Sequence, residues 1–392
     1  MQVPKVDRDH MADNHVMLRC AIADVLRGHL HPGSVRVRAG EHVTMGAWLG
    51  SVGNSGNSGE PHLHVHAQSR GSTETPLDGK PRPIAFTARF PVRGDHIVLH
   101  MKRILVTGAT GQVGAAVISA LRVFDHFVVR AGVRDVETES LRWNGDARVE
   151  PVAFDFLDPR SHDAALADCD SLFLLRPPQL TGDFGDVIAR AQHHGVRHIV
   201  FLSVQGAERN RFIPHHKIER RLVASGVSYT MLRPAYFMQN FTSTLHDELV
   251  RRHRIFLPAG SACFTLVDVG DIARVAALVL TQHGTQHYGQ AYTLTSQTPL
   301  TFEQMAAQLT TKLGLRITYD SPSPWRFYRT LRRDGREPGL ILIMLLLHLL
   351  PRFTGTPDVT QTVAALTGQP PVEFAQFVEA HRDELLLDMD KP

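Results

Sequence analysis

Three glycines between an apolar stretch and an amphipathic one constrain the fold of this 392-residue chain more than any other feature. Residues 103–121, RILVTGATGQVGAAVISAL, predict a strand, a tight turn and a helix, with the glycines in GxxGxxG spacing. The first glycine permits the turn, the second lets backbone N–H groups approach a pyrophosphate, and the third lets the helix pack closely on the strand. The helix N-terminus adds positive potential for the phosphates. The residues predicted to form this dinucleotide site are Gly108, Thr110, Gly111, Gln112, Val113 and Gly114.

Strands and helices alternate after this turn. We predict strands at residues 127–133, 149–156, 171–177, 198–204 and 228–234. Helical patterns lie between them, for example at residues 183–195 and 215–226. Such alternation is typical of a doubly wound parallel sheet, whose ligands bind at the carboxyl ends of the strands. The predicted fold class is therefore α/β, with a Rossmann-type domain over residues 101–300 and a helical lid, residues 301–392, that closes the cleft with apolar surface.

The first hundred residues have a different pattern. They hold 10 of the 23 histidines and contain no convincing helix. Strand-like stretches lie between glycine and proline turns, at residues 15–20, 34–40 and 62–68. Because side chains alternate along a strand, His62, His64 and His66 would share one face. We therefore predict a small, incomplete all-β domain over residues 1–100, with clustered imidazoles of the kind that suit Zn²⁺.

This front segment resembles the second half of a lysostaphin-type (LytM-like) zinc endopeptidase, an enzyme that cuts peptidoglycan. The similarity runs through GHLHPGSV, GNSGNSGEP and PHLHVH. It implies that His64 binds zinc and that His62 and His29 assist the attacking water. We expect the family's HxxxD ligands to be missing, because the chain begins after that motif and because His10 and Asp13 lie too close to the next strand to replace them. The expectation is a domain without a working zinc site, with peptidoglycan hydrolysis as the alternative.

Position 134 bears on the choice of cofactor. An NAD site usually has an acidic residue about 20 residues beyond the glycines, where it binds the ribose 2′-hydroxyl. This chain has Arg134 at that distance from Gly114. A guanidinium suits the 2′-phosphate of NADP, so NADP is the predicted cofactor. Asp135 is adjacent and would suit a 2′-hydroxyl, which leaves NAD as the alternative.

Residues 101–380 resemble the NmrA-like branch of atypical short-chain dehydrogenases. The similarity is carried by VTGATGQVG, GVRD, FDFLDP, FLLRPP, FLSVQGA, HHKIERRLVASGVSYTMLRPAYFMQNF and TLVDVGDIARVAALVL, and by LTGQPPVEFAQFVEAH near the C-terminus. The resemblance implies that Asp155 and Phe156 lie near the adenine. It also implies that the strand end from Leu175 to Pro178 covers the ribose side.

The same resemblance places Lys217 at the nicotinamide ribose and the segment from Pro234 to Asn240 beside the nicotinamide and the substrate. Typical short-chain dehydrogenases donate a proton from a tyrosine four residues before such a lysine. Here Ile213 occupies that position, and the chain contains no YxxxK sequence. The catalytic candidates that remain are Ser203, Lys217 and Tyr236, with His215 and His216 as further possible proton donors.

Two classes of function fit these features. In the first, an oxidoreductase passes hydride from NADPH to a small apolar acceptor, such as a quinone, azo or imine compound, that needs no strong acid from the protein. In the second, the domain senses the NADP(H) pool and acts through a regulatory protein partner, as some NmrA-like regulators do. The apolar C-terminal helices favour the first class.

Charge, cysteine content and hydropathy indicate which partners and which cellular compartment to expect. A net charge of +3 without a basic run gives no support for a nucleic-acid partner. Three widely separated cysteines and a polar N-terminus are typical of a reducing compartment, so we expect a cytoplasmic protein. The most apolar run, residues 339–350, is shorter than the roughly 20 residues of a membrane span. We expect it to form a buried or groove-lining helix, with membrane contact as the alternative.

Overall fold

The computed structural model describes residues 14–19, 24–43, 48–55, 63–69, 80–82, 102–124, 127–143, 146–177, 184–282, 284–355 and 357–386. Four residues discussed above lie outside these ranges: His10, Asp13, His62 and Pro178. The chain divides into two compact units, Met1–His100 and Met101–Pro392, which are described in turn.

The front unit contains a four-stranded antiparallel sheet. Its strands are adjacent in chain order: β1 (Val16–Arg19), β2 (Asp24–Gly28), β3 (His64–Gln68) and β4 (Pro81–Arg82). No helix occurs among the described residues of this unit, so the prediction of a small β domain is confirmed. The strand predicted at residues 34–40 is wrong. Its Arg36 N–H donates to the Leu49 carbonyl at 2.9 Å, but the ladder of paired strands does not extend to this stretch, which forms a loop.

The second unit is built on a seven-stranded sheet. The strands of this unit are β5 (Lys102–Val106), β6 (Phe127–Val133), β7 (Val149–Ala153), β8 (Ser171–Leu175), β9 (His198–Leu202), β10 (Ser228–Pro234), β11 (Tyr236–Phe237), β12 (Arg254–Phe256), β13 (Cys263–Phe264), β14 (Leu266–Val267), β15 (Gln290–Leu294), β16 (Leu300–Thr301) and β17 (Thr318–Asp320). The sheet order is β7-β6-β5-β8-β9-β10-β15, and all neighbours are parallel. This is the predicted Rossmann-type arrangement, in which the strand order reverses between β5 and β8.

Helices connect these strands and continue to the end of the described chain. They are α1 (Gln112–Leu121), α2 (Val136–Glu139), α3 (Arg160–Leu166), α4 (Gly185–His193), α5 (Pro214–Ser225), α6 (His246–Arg252), α7 (Val269–Thr281), α8 (Phe302–Leu313), α9 (Pro324–Arg333), α10 (Pro338–Leu349), α11 (Pro351–Thr354), α12 (Thr362–Thr367), α13 (Phe374–Ala380) and α14 (Arg382–Leu386). Single 3₁₀ turns span Ser140–Trp143 and Met238–Asn240.

The central strands are buried on both faces, which explains why their sequences are continuously apolar. In β5, Ile104 and Val106 pack into the core that contains α1 and α7. The intervening Leu105 packs into the core that contains α4 and α5. The carboxyl ends of β5 and β8, where the strand order reverses, are therefore held rigidly from both sides.

A separate core lies beyond the end of β10. It is formed by aromatic and aliphatic side chains of α6, α8, α9, α10, α13 and α14, with Phe302 fully buried among them. Helix α10 contributes Ile341, Met344 and His348, with Leu345 half-buried beside them, whereas five of its large side chains are exposed: Leu340, Leu342, Ile343, Leu346 and Leu347. The expectation of a buried or groove-lining helix at residues 339–350 is therefore only half correct, because this helix is apolar on every side but contacts the core along one stripe. No helix in the described ranges is long and apolar enough to cross a membrane.

Candidate functional site

The turn between β5 and α1 has no space for side chains at two of its glycines. Gly108 has a left-handed backbone with φ of +61°, and a Cβ atom there would lie 2.7 Å from Cδ2 of Leu175. A Cβ atom on Gly114 would lie 2.1 Å from the Gly108 carbonyl oxygen, far inside van der Waals contact. Helix α1 therefore packs directly on the turn, and this close packing requires glycine at both positions.

The N-terminus of α1 is open to a ligand. Its N-cap residue, Gly111, offers no side chain to the first-turn N–H groups, and no acidic residue lies in the first turn. Thr110, Gly111 and Gln112 are exposed, whereas the side chain of Val113 is buried in the core. The first-turn N–H groups and the positive end of the helix dipole are thus directed at a solvent-accessible position, as anion binding requires.

The end of β8 is fixed to the same turn by Thr107. Its hydroxyl donates to the Phe173 carbonyl at 3.0 Å and accepts from the Leu175 N–H at 3.1 Å. These two bonds hold Leu175 over Gly108, where its side chain closes one wall of the turn. The structure therefore brings together the glycine turn and the strand end that the sequence predicts on the ribose side.

Arg134 and Asp135 follow β6, and their side chains have different environments. Asp135 caps α2: it accepts from the Thr138 N–H at 3.2 Å and from the Thr138 hydroxyl at 2.7 Å. These hydrogen bonds to Thr138 lower the pKa of the Asp135 carboxyl below its usual range. Arg134 is exposed and has no ion-pair partner within the described residues. Both Asp135 oxygens are thus already engaged, while the Arg134 guanidinium is accessible.

Asp155 and Phe156 form a turn after β7, which explains why this strand ends earlier than predicted. The Asp155 N–H donates to the Ser161 hydroxyl at 2.9 Å, and its carboxylate accepts from the Leu157 N–H at 2.9 Å. The half-buried Phe156 ring packs edge-on against Phe184 at 5.0 Å between centroids. The structure therefore places an ordered polar turn and an aromatic surface at the carboxyl end of β7.

Ser203 belongs to a buried charged network. It is 1% exposed, and its hydroxyl donates to Oε1 of Glu219 at 2.6 Å. Arg233 donates from Nε and Nη2 to the two oxygens of the same carboxylate, at 2.9 and 2.8 Å. Lys217, two residues before Glu219 on α5, is exposed. Ser203 is thus buried with its hydroxyl hydrogen-bonded to Glu219, whereas Lys217 is open to solvent.

Tyr236 is in contact with a residue that the sequence did not identify as part of the site. Its hydroxyl lies 3.2 Å from Nε2 of His348, on α10, and Nδ1 of His348 lies 2.6 Å from the Met344 carbonyl oxygen. Because a carbonyl only accepts, Nδ1 carries the proton and Nε2 accepts from Tyr236. The only sequence signal for this contact is that His348 is the one polar residue in an apolar run.

Burial keeps the Tyr236–His348 pair neutral. It raises the pKa of the tyrosine hydroxyl above its usual range and lowers the pKa of His348 to about 4. Burial likewise lowers the pKa of His215 to about 4, with the nearby Arg176 charge as a second cause. His216 is held through Nδ1 to the Ala207 carbonyl at 2.7 Å. The candidate proton donors are therefore neutral or hydrogen-bonded within the protein.

In the front unit, two of the predicted histidines are close together. The rings of His29 and His64 lie 5.6 Å apart between centroids, and His66 lies 6.5 Å from His64. His29 is buried, and its Nδ1 lies 2.5 Å from the Ser55 carbonyl oxygen. Within the described ranges, no group of three or more His, Cys, Asp or Glu residues is placed to hold a metal ion.

Comparisons with known proteins agree with this division of the chain. The NmrA-like family matches residues 100–331, and peptidase family M23 matches residues 1–76. A (4-alkanoyl-5-oxo-2,5-dihydrofuran-3-yl)methyl phosphate reductase from Streptomyces griseus is 32% identical over 286 residues, 71% of this chain and 98% of the relative. An NAD(P)H azoreductase from Xenophilus azovorans is 29% identical over 288 residues, 71% of this chain and 97% of the relative.

A solved structure agrees with the fold. The crystal structure of an NADPH-dependent quinone oxidoreductase from Escherichia coli, complexed with NADPH, superposes with a TM-score of 0.63 at 26% identity. The superposition covers 71% of this chain and 99% of that one. The family match spans more than half of the chain and includes the glycine turn, the strand ends and α5. This chain belongs to the NmrA-like family.

Proposed function

We propose that this protein is an NADPH-dependent oxidoreductase that reduces a small apolar acceptor of the quinone, azo or imine type. The observation that carries the proposal is the turn between β5 and α1, where a Cβ atom on Gly114 would lie 2.1 Å from backbone and the helix N-terminus is open. Relatives named as an azoreductase and a quinone oxidoreductase support the reaction class.

The residues around this turn fit a dinucleotide. The first-turn N–H groups of α1 would hold the pyrophosphate, Leu175 would cover a ribose, and Phe156 would lie near the adenine. Lys217 would reach the nicotinamide ribose, and Pro234 would border the ring. NADPH, when bound, supplies the hydride.

The state of the candidate acids supports this class of acceptor. The Ser203 hydroxyl donates a hydrogen bond to Glu219, and the Tyr236 hydroxyl donates a hydrogen bond to a neutral His348. Neither hydroxyl is therefore a strong acid. Reduction of a ketone to an alcohol needs such an acid from the protein, so an acceptor that takes its proton from water suits the pocket better. The role of the protein would be to orient the acceptor against the nicotinamide.

Hydride transfer is tested by incubating the purified chain and NADPH with a panel of quinones, azo dyes and imines. We expect NADPH consumption in step with reduction of at least one acceptor class, measured by absorbance. Cofactor binding without consumption of NADPH would contradict the oxidoreductase proposal and favour a regulator that acts through a protein partner.

The choice of NADP is tested with Arg134→Asp. Loss of a charge-assisted contact to the 2′-phosphate should weaken NADPH binding about 10- to 100-fold. NADH binding should change little, because NADH has no 2′-phosphate. Arg316→Asp, at another exposed arginine, is the matched control. Calorimetric titration measures all four affinities for the two variants, and an equal loss for both cofactors in Arg134→Asp would rule out the 2′-phosphate contact.

For the front unit we propose no peptidase chemistry. The resemblance implies one zinc ligand, His64, with His29 and His62 beside the water, whereas a catalytic zinc site needs three ligands from the protein. Metal analysis of the dialysed chain tests this, and one tightly held zinc per chain would contradict it.

A further inference from the structure

Helix α10 and the turn after it present a continuous apolar surface to solvent. Six large side chains, which we call the α10 face, are between 48% and 78% exposed: Leu342, Ile343, Leu346, Leu347, Leu350 and Phe353. The spacing of the first four puts them on one side of α10, opposite the stripe that packs into the core, and Leu350 and Phe353 follow at its C-cap and on α11. Monomeric proteins rarely expose an apolar patch of this kind unless it contacts something.

The chemistry of the α10 face fits hydrocarbon better than a protein. Between residues 339 and 350 the only polar side chain is His348, and it faces inward to Tyr236. Protein interfaces depend on Trp, Tyr and Arg anchors and on regular hydrogen bonds across the contact. The α10 face offers aliphatic side chains without hydrogen-bonding groups, which is the surface that a lipid interior accepts without penalty.

The helix before α10 and the end of the α10 face carry residue types that are typical of a membrane–water interface. Trp325, on α9, is 67% exposed, and Phe353, the last residue of the α10 face, is 78% exposed. Residues 324–353 contain six arginines against two acidic residues, and two of these arginines are already paired, Arg326 with Asp320 and Arg336 with Asp247. Arg329 and Arg333 are exposed on α9, close in sequence to the start of α10. Exposed aromatic rings and arginines beside aliphatic surface complement the headgroups of anionic lipids.

We propose that the α10 face binds the surface of an anionic lipid bilayer, with α10 lying in the plane of the headgroups. The helix has 12 residues, whereas a membrane span needs roughly 20. Its inner side contacts Tyr236 through His348, so the helix that touches the lipid also forms part of the wall beside the proposed acceptor site. The inference goes beyond the proposed reaction and does not depend on it.

The test is co-sedimentation of the full chain with vesicles. We expect the chain to bind vesicles of phosphatidylglycerol and phosphatidylcholine in equal parts more strongly than vesicles of phosphatidylcholine alone. At high salt, the chain should bind the two kinds of vesicle equally, because salt screens the charges of the anionic headgroups. Leu342→Glu/Leu346→Glu should reduce partitioning at least ~tenfold, because two leucines that would contact lipid are replaced by anionic side chains. Leu141→Glu is the matched control, since Leu141 is 72% exposed elsewhere on the same unit.

Arg329→Ala/Arg333→Ala provides a second variant that leaves the aliphatic side chains intact. It should weaken binding to the anionic vesicles alone. Equal binding of the unmodified chain and Leu342→Glu/Leu346→Glu would overturn the proposal, as would no binding to either vesicle. A dimer in light scattering that the glutamate variant dissociates would assign the α10 face to a second copy of the chain and would also overturn it. Because the sedimentation mixture contains no NADPH, these outcomes are independent of NADPH oxidation.

Discussion

Replacing Gly114 with alanine is expected to weaken NADPH binding about 100-fold. The new methyl group would lie 2.1 Å from the Gly108 carbonyl oxygen and 3.0 Å from Cα of Ala109, and both are backbone atoms that no rotamer change can move. Helix α1 must therefore shift away from the turn, which moves its N–H groups from the pyrophosphate position. A loss of about 3 kcal/mol in binding corresponds to this factor. Calorimetric titration with NADPH measures it.

Other glycines provide a graded set of controls. A Cβ atom on Gly111 would lie 3.3 Å from the Gly108 carbonyl oxygen, so Gly111→Ala should have a smaller effect than Gly114→Ala. A Cβ atom on Gly339, in α10, would meet no other part of the described structure within 4 Å, and Gly339→Ala should leave NADPH affinity unchanged. If Gly114→Ala binds NADPH as tightly as Gly339→Ala does, the turn between β5 and α1 is not the pyrophosphate site.

Local patterns were sufficient to predict six of the seven strands of the large sheet, but the edge strand β15 was not predicted. The predicted bounds of β6 and β10 match the structure: β6 ends just before Asp135, the N-cap of α2, and β10 ends at Pro234. The strand predicted at residues 149–156 extends three residues beyond the observed end of β7 at Ala153, because Phe154 and Phe156 continue the apolar pattern of a strand. The turn there is set by the hydrogen bonds of Asp155, which hydropathy does not report.

Contacts between distant residues could not be predicted from such patterns. Tyr236 and His348 are 112 residues apart, and no periodicity links them. The side of α10 that is exposed could not be predicted either, because the sequence of a helix that is apolar on every side does not indicate which stripe contacts the core. The network joins Ser203, just after β9, Arg233 in β10 and Glu219 in α5, so it depends on the packing of α5.

Replacing Glu219 with alanine is expected to lower the free energy of unfolding by about 3–5 kcal/mol. The change leaves the Arg233 guanidinium, whose side chain is 15% exposed, without its bidentate partner and leaves the Ser203 hydroxyl without its acceptor. Glu208, 3.5 Å from Nε of Arg233, offsets part of this loss. Small domains have only about 5–15 kcal/mol in total, so the variant should unfold at much lower urea concentration.

Two further variants separate this structural role from catalysis. Ser203→Ala removes one hydrogen bond to a charged group and should cost about 1.5–3 kcal/mol of stability, with kcat nearly unchanged because the serine proton is not available to an acceptor. Glu219→Leu/Arg233→Met removes both charges and should be more stable than Glu219→Ala, since an unpaired buried charge costs more than the missing pair. A large fall in kcat for Ser203→Ala, with an unchanged unfolding curve, would instead show that Ser203 takes part in catalysis.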